Sequence, residues 1–396
     1  MKICYVAIDV AIPHFRGAST HVYEVAKNLA HFGNEVHVVS RRVNASQPRY
    51  ELFENIHVHR IYRGILKALP LSSYQRLERE RKMRFVDKLY EWYLFTIFSL
   101  YSGLVSARII RKYGIDVIIE RETSFGAGAI ASLLTKKPMI LEIIGPRYSK
   151  LSFKRAKKVL AYSKSMIFER SSIADKVVWV NAAADTERFR PDAIKRRITR
   201  EALGLKDSVV VGYVGTFARW HGMEELIEAS VEVLKLHPDA RFLMVGPYFE
   251  WAKEHAKAHG VLNSFIFTGP VPYSEVSSYI NAADILVAPY NPSKDSLRRK
   301  YGIGSPLKVF EYMACQKPVI TTAVDPITNV IQHEKTGILV AAGDFKALAS
   351  AILSLIEDSE SARHIGKAAR EDVEKYYSWK TFTKQLASIL EETVRE

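Results

Sequence analysis

GIGSPLKVFEYMACQKPVITT, residues 302–322, places a helix start suited to an anion next to one inward-facing carboxylate. Ser305 and Pro306 read as helix-opening residues, an N-cap followed by the preset φ of proline. Leu307, Phe310 and Ala314 then recur at helical spacing. Lys308 and Glu311 lie three apart, so both side chains project from one face. Gln316 and Lys317 close the helix, and Pro318 leads into a β-branched strand. Free N–H groups at the helix start and the Lys308 ammonium suit a diphosphate, while Glu311 can accept two hydroxyl hydrogen bonds from a sugar. Taken alone, the pair reads first as a solvated ion pair on an ordinary α/β helix.

The string S-P-L-K-x-F-E-Y-M-A followed by K-P-V-I resembles the donor-site helix of family 4 glycosyltransferases, retaining enzymes with the two-Rossmann GT-B fold. The resemblance implies that Glu311 binds the ribose of a nucleotide sugar and that the helix start, at Ser305, Pro306 and Leu307, faces its diphosphate. One position departs from the family. Its motif is usually E-x7-E, and the residue eight before Glu311 is Ile303, which accepts no hydrogen bond from a hexose.

A chain of 396 residues, 48% hydrophobic and 25% charged, has room for two domains of ordinary composition. Cys4 and Cys315 are its two cysteines, which argues against a disulfide framework or zinc site and for a reducing, cytoplasmic compartment. The net charge of +14 is concentrated: residues 41–170 carry 26 Lys and Arg against 11 Asp and Glu. That surplus predicts an anionic partner. The opening MKICYVAIDV meets Asp9 and carries no cleavage pattern, so it reads as a first strand and not a signal peptide. The longest uncharged apolar run, Trp92 to Ala107, is 16 residues, below the about 20 that span a bilayer.

The segment KICYVAI followed by a helix over 18–32 is a Rossmann-type opening. The family carries a Gly-Gly pair in the intervening loop; here Gly17 remains and Ala18 stands in the second place. The G-x-G-x-x-G fingerprint is absent, which argues against a dinucleotide oxidoreductase. His57 and His59 fall on one face of a strand over 56–62, and His255 and His259 lie four apart. Neither pair shows a third ligand in the sequence, so solvated histidines are the expectation.

Residues 63–112 form a basic and aromatic stretch, and residues 154–170, KRAKKVLAYSKSMIFER, read as a basic amphipathic helix. Both are expected to meet an anionic membrane surface, with a core helix the alternative for the first. Between them, IDVIIERETSFGAGAIASLLTKKPMILEIIGP reads as strand, helix, strand and resembles the family's middle segment. Asp9, Glu120, Arg121 and Glu142 stand at strand C-termini, where α/β sheets place ligands, and are the acceptor-side candidates. A buried structural pairing of Glu142 with Arg121 is the competing expectation. Ile144 occupies the place usually filled by Asn or His in the family.

NAAADTERFRP, with Asp185, Phe189 and Pro191 in register, resembles the family's interdomain hinge. A fresh strand–helix alternation from Ser208 predicts a second parallel sheet. GTFARWHG, residues 215–222, resembles the family's phosphate loop, in which an arginine and a lysine hold the diphosphate. Thr216 and His221 occupy those two places, and Arg219 is the expected replacement cation. If His221 takes the lysine's role, donor affinity should titrate near the ordinary imidazole pKa of about 6.5. No D-x-D pair occurs, so cations and the helix dipole must neutralise the leaving diphosphate without a metal.

The sequence therefore predicts an α/β protein of GT-B architecture, two Rossmann-like parallel-sheet domains with a cleft between them. Residues 1–200 are the expected acceptor domain, 201–375 the nucleotide-sugar domain, and 376–396 a helix returning to the first. The expected function is metal-independent, retaining hexosyl transfer from a nucleoside-diphosphate sugar to a lipid-linked or glycan acceptor. Lys308, Glu311 and Arg219 are the central site residues, with no cofactor and no nucleic-acid partner. The expected location is cytoplasmic, on the inner face of the cell membrane where attached. Ile303 and Ile144 keep two alternatives open: a nucleotide-sugar-binding scaffold protein and a GT-B sugar-nucleotide epimerase.

Overall fold

The computed structural model describes residues 1–12, 17–61, 94–122, 125–145, 149–167 and 175–396. Most of the basic stretch 63–112, through residue 93, lies outside them, as do 14–16 of the first loop and 168–170. The chain forms two compact units, Met1–Asn181 with Trp379–Glu396, and Ala182–Ser378.

In the first unit, β1 (Lys2–Ala7), α1 (Gly17–His31), β2 (Glu35–Arg41), β3 (Tyr50–Phe53) and β4 (Ile56–Ile61) come first. After them come α2 (Ser99–Tyr113), β5 (Val117–Arg121), α3 (Ala127–Thr135) and β6 (Met139–Ile143). A short α4 (Lys150–Arg155), β7 (Lys158–Ala161) and β8 (Val177–Trp179) complete the sheet, in the order β3-β4-β2-β1-β5-β6-β7-β8. Every pairing is parallel except β3 with β4. Ile3 to Ala7 are fully buried, the uniform apolar run expected of a central parallel strand covered on both faces.

The expected amphipathic helix over 154–170 does not form. Ser149 caps α4 by accepting from Leu151 N at 3.2 Å, and the helix ends at Arg155. Val159, Leu160 and Ala161 then enter the sheet between β6 and β8, fully or almost fully buried. Four consecutive apolar or aromatic residues, VLAY, suit a strand buried on both faces better than a helix with one apolar stripe, and burial decided the outcome. Of its basic residues, Lys158 pairs with Glu392 at 2.9 Å and Glu396 at 3.6 Å.

The second unit takes in residues 182–200, which the sequence reading had assigned to the first domain. Ala182, Ala184 and Phe189 are buried in this unit's core, and α5 (Ala193–Ala202) sends Arg196 and Arg200 to the two oxygens of Asp284, at 2.6 and 3.2 Å. The alternation continues with β9 (Val210–Val214), α6 (Met223–Leu236), β10 (Arg241–Val245), α7 (Glu250–Ala258), β11 (Phe265–Gly269), α8 (Val276–Ala282) and β12 (Ile285–Ala288). It closes with α9 (Ser296–Tyr301), α10 (Leu307–Ala314), β13 (Val319–Thr322), β14 (Ile338–Val340), α11 (Phe345–Glu357) and α12 (Ser359–Tyr376). The six strands are all parallel in the order β11-β10-β9-β12-β13-β14. The last helix, α13 (Trp379–Arg395), belongs to the first unit, burying Trp379, Phe382, Leu386 and Leu390. No described helix is long and apolar enough to cross a membrane.

Candidate functional site

The helix α10 is fixed against β9 through one side chain. The Tyr312 hydroxyl accepts from Val214 N at 2.7 Å and donates to Val214 O at 3.0 Å. Phe310, Met313 and Ala314 bury the rest of the inner face. Lys308, one turn before Tyr312, is thereby brought to the C-terminal end of β9, the sheet edge where α/β folds bind ligands. The cap differs from expectation. Pro306 holds the cap position and Ser305 precedes it, with its hydroxyl buried and without a hydrogen-bond partner.

Lys308 Nζ donates to the Tyr213 hydroxyl at 2.6 Å and lies 4.1 Å from that ring's centroid and 5.4 Å from that of Tyr290. Gly215 is required below it: at φ 152° with the ammonium overhead, an added Cβ would stand 2.5 Å from Nζ. Burial brings the Lys308 pKa down to about 7, with Glu311 opposing the shift. No carboxylate among the described residues forms an ion pair with this ammonium. Glu311 itself is 9% exposed and accepts from the Tyr273 hydroxyl at 3.3 Å.

The loop 215–222 meets this lysine differently from the sequence reading. His221 is buried, and its Nδ1 donates to the Thr216 carbonyl at 2.6 Å. Burial, then the Lys308 and Arg298 charges, hold its pKa well below the ordinary value, so the imidazole is neutral near pH 7. The expected titration of His221 near 6.5 is not favoured, because burial and two nearby cations oppose a third positive charge. Arg219 is directed elsewhere too, pairing with Glu224 and stacking 4.9 Å from the Trp251 ring centroid. A second cation near His221, which the sequence did not single out, is Arg298 on α9, 4.6 Å from the Trp220 ring centroid. The run R-R-K at 298–300, just before the Gly302–Pro306 loop, was the available signal. Ile303 is 5% exposed and belongs to the apolar core, as its side chain requires.

This arrangement has relatives. Residues 195–372 match the family model described as glycosyl transferases group 1, and residues 15–187 match glycosyltransferase family 4. The chain belongs to glycosyltransferase family 4. A GDP-mannose-dependent α-(1-6)-phosphatidylinositol monomannoside mannosyltransferase of Mycolicibacterium smegmatis is 30% identical over 208 residues, 52% of this chain and 54% of that relative. The chain thus spans about half of that relative's length. Among solved structures, sucrose-phosphate synthase from Thermosynechococcus elongatus superposes with a TM-score of 0.75 at 20% identity, covering 99% of this chain and 98% of that one. Anabaena HepE in complex with UDP and glucose gives 0.74 at 18%, covering 99% and 100%. At such identities the likeness is one of fold, and that fold is GT-B with two Rossmann-like parallel-sheet units.

The acceptor-side candidates of this family 4 glycosyltransferase sort into two kinds. Glu120 is a structural cap: its Oε1 accepts from Gly126 N and its Oε2 from Ala129 N, both at 2.9 Å, at the start of α3. Burial raises its pKa to about 7. Glu142 is likewise saturated, accepting from His21 Nε2 at 2.7 Å, Tyr162 OH at 2.7 Å and Tyr5 OH. Burial opposes ionisation there, but His21, Arg121 and the Tyr5 hydroxyl outweigh it and bring the pKa to about 2. Arg121 is 5% exposed; its Nε and Nη1 find no hydrogen-bond partner, and Asp9 Oδ2 lies 3.9 Å from Nε. Asp9 Oδ1 is also buried without a partner. Glu122, which the sequence did not single out, accepts from Ile144 N at 2.8 Å. Gly17, first residue of α1, is exposed, and a Cβ there would meet no atom of the described residues within 4 Å.

Two histidine groups also came out differently. β4 is an inner strand, so His59 is buried, its pKa lowered to about 4 chiefly by burial, and His37 joins the pair from β2. Beside His255 and His259, α6 supplies Glu228, a third ligand type that spacing along one helix could not reveal.

Proposed function

We propose that this chain is a retaining, metal-independent hexosyltransferase that uses a nucleoside-diphosphate sugar. The observation that carries the reading is the partly buried Lys308 ammonium at the end of β9, which forms no ion pair with a carboxylate among the described residues. A partly desolvated cation of that kind is stabilised by a polyanion, and a diphosphate supplies one. Glu311, one turn further along α10, accepts the ribose hydroxyls. Lys308, Arg298, the N–H groups at the start of α10 and the orphaned Ser305 hydroxyl hold the diphosphate. Tyr213, Thr216 and neutral His221 position the lysine and the loop, and Pro306 and Leu307 fix the helix start. Arg219 serves from the loop's outer side.

Retention follows from front-face attack. The acceptor oxygen bonds to the anomeric carbon on the face that the phosphate leaves, and a leaving phosphate oxygen takes the acceptor proton. Electrostatic stabilisation of that leaving group is the protein's main contribution. On the other unit, Asp9 and Arg121, at strand ends and each with a buried polar atom that lacks a hydrogen-bond partner, are the acceptor-side groups. The named activity of the mycobacterial relative, on a phosphatidylinositol mannoside, supports a lipid-linked or glycan acceptor.

Attachment to an anionic membrane surface rests on one helix face. Ile97, Leu100, Tyr101 and Leu104 are exposed at helical spacing, and exposed Arg108 and Arg111 continue the same face. Leu133 and Leu134 of α3 and Leu151 of α4 are exposed as well. Apolar side chains followed by arginines suit the boundary between acyl chains and acidic headgroups.

Calorimetric titration with UDP-, GDP- and ADP-sugars, with product analysis, tests the reading in wild type and Glu311→Ala. One nucleotide should bind and be turned over, and Glu311→Ala should weaken nucleoside diphosphate by about 10- to 150-fold, the equivalent of ~1.5–3 kcal/mol. Binding without turnover marks a scaffold protein, and an epimer without transfer marks an epimerase. Undiminished nucleotide binding by folded Glu311→Ala places the donor elsewhere.

A further inference from the structure

On the second unit, Glu228 from α6 faces His255 and His259 at the end of α7, and one ligand atom from each lies within 4.8 Å of the others. The two imidazoles are four residues apart with ring centroids at 4.4 Å, the spacing by which one helix offers two nitrogens to one ion. His259 Nδ1 donates to the His255 carbonyl at 2.9 Å, which assigns the proton to Nδ1 and leaves the Nε2 lone pair available. His255 Nε2 is buried with no hydrogen-bond partner. Such an orphaned nitrogen calls for an explanation, and an ion is one.

We propose that Glu228, His255 and His259 form a binding site for a divalent transition-metal ion, Zn2+ being the best fit. Two imidazoles with one carboxylate suit zinc or its neighbours, whereas Mg2+ and Ca2+ take oxygen ligands. In a tetrahedral zinc site with bonds of about 2.0–2.1 Å, ligand atoms stand about 3.4 Å apart, so modest side-chain rotation closes the present spacing. His259 is exposed, which leaves the fourth position to water. The second histidine group behaves otherwise. Both nitrogens of its central His37 are already committed, to Glu35 at 2.9 Å and His59 at 3.0 Å, and His57 Nδ1 is paired with Tyr50 at 2.8 Å.

The ion would join the two helices that hold the phosphate-binding loop. Loop 215–222 runs into α6, and Trp251 of α7 donates to the Phe217 carbonyl at 2.8 Å while supporting Arg219. The site is thus a clip behind the loop, with a nitrogen-rich ligand set unlike the oxygen-bound ion that clamps a diphosphate.

The test uses the full chain without a polyhistidine tag, stripped of metal. Zn2+ titrated by calorimetry should bind at one equivalent and raise the melting temperature, and Co2+ should give the visible absorption of a four-coordinate site that Zn2+ abolishes. His259→Ala, at an exposed position, and Glu228→Gln should each weaken Zn2+ by about tenfold or more while remaining folded by circular dichroism. His57→Ala should leave stoichiometry and affinity unchanged. Equal Zn2+ affinity in wild type and His259→Ala, loss of the ion in His57→Ala, or no saturation of wild type by equimolar Zn2+, each overturns the site.

Discussion

Lys308 Nζ and the Tyr213 hydroxyl are joined by a 2.6 Å hydrogen bond in which the ammonium also lies over the phenol ring. A phenol is a weak substitute for an anion, and with burial the dominant influence the Lys308 pKa stands at about 7, against about 10.4 for a free lysine. A bound diphosphate favours the charged form, so donor binding near pH 8 must take up a proton.

Affinity for nucleoside diphosphate should accordingly be highest near pH 7 and fall by up to about tenfold per pH unit above it, until the pKa of the complex is reached. The phosphate's own ionisation near pH ~6 acts in the opposite direction and is complete before this window. Calorimetry at pH 8 in two buffers of different ionisation enthalpy measures the uptake. Lys308→Arg, charged at every accessible pH, should abolish it. Uptake that persists in Lys308→Arg, or none in wild type, removes the lysine from the diphosphate site.

Glu142 makes a separate claim on stability. Its pKa of about 2 in the fold lies below the about 4.3 of an unfolded glutamate, so the native state binds fewer protons between those values. The contribution, roughly 3 kcal/mol at full strength, is present above pH ~4.3 and is lost as pH falls towards ~2. Glu142→Gln should therefore lower unfolding free energy by about that amount at pH 7, and the gap to wild type should close in acid. Urea titrations at pH 7 and pH 3 measure both. A stable variant with a raised acceptor KM would instead make Glu142 an acceptor contact.

Membrane attachment should depend on the exposed face of α2. Leu100→Glu with Leu104→Glu removes two apolar anchors worth about 1.5–3 kcal/mol each when fully buried and adds charge repelled by acidic lipid. Co-sedimentation with phosphatidylglycerol vesicles should fall by more than about tenfold, and raised salt should weaken the wild type. Both residues are exposed, so the fold should persist. Equal sedimentation of wild type and variant, or equal binding to neutral vesicles, excludes this face.

The legible parts of the molecule were those in which one segment decides its own fate. Strands and helices from β9 to β13, and the joint placement of Lys308 and Glu311 on α10, follow from periodicity and the quoted motif. What the sequence hid depends on partners far along the chain. Residues 158–161 became a strand because β6 and β8 were there to pair with it. Residues 182–200 belong to the second unit, where Phe189 enters the core and Asp284, nearly a hundred residues on, pairs with Arg196 and Arg200. His221 lost its charge to enclosure, which residue identity does not report. Glu120 looked like a ligand-facing carboxylate at a strand end, yet the free N–H groups of the following helix claimed it.

The same lesson decides between two arginines. Arg219 sits inside the phosphate-loop motif, but Glu224 neutralises it and Trp251 holds it outward, and half of its side chain is in solvent. Arg298 lies outside the motif, yet its charge reaches His221 together with that of Lys308, and it stacks on Trp220 next to that histidine. A guanidinium that contacts a diphosphate in a partly enclosed site contributes about 1.5–3 kcal/mol, whereas an exposed ion pair contributes about 0–1 kcal/mol. Arg298→Ala should weaken nucleoside diphosphate by about 10- to 150-fold, and Arg219→Ala by less than about fivefold. Arg298→Lys should recover only part of the loss, because a point charge cannot reproduce the planar stacking on indole. Calorimetric affinities of the three variants measured at pH 7 settle the order. A larger loss in Arg219→Ala than in Arg298→Ala would return the diphosphate to the loop arginine and make Arg298 a support for Trp220.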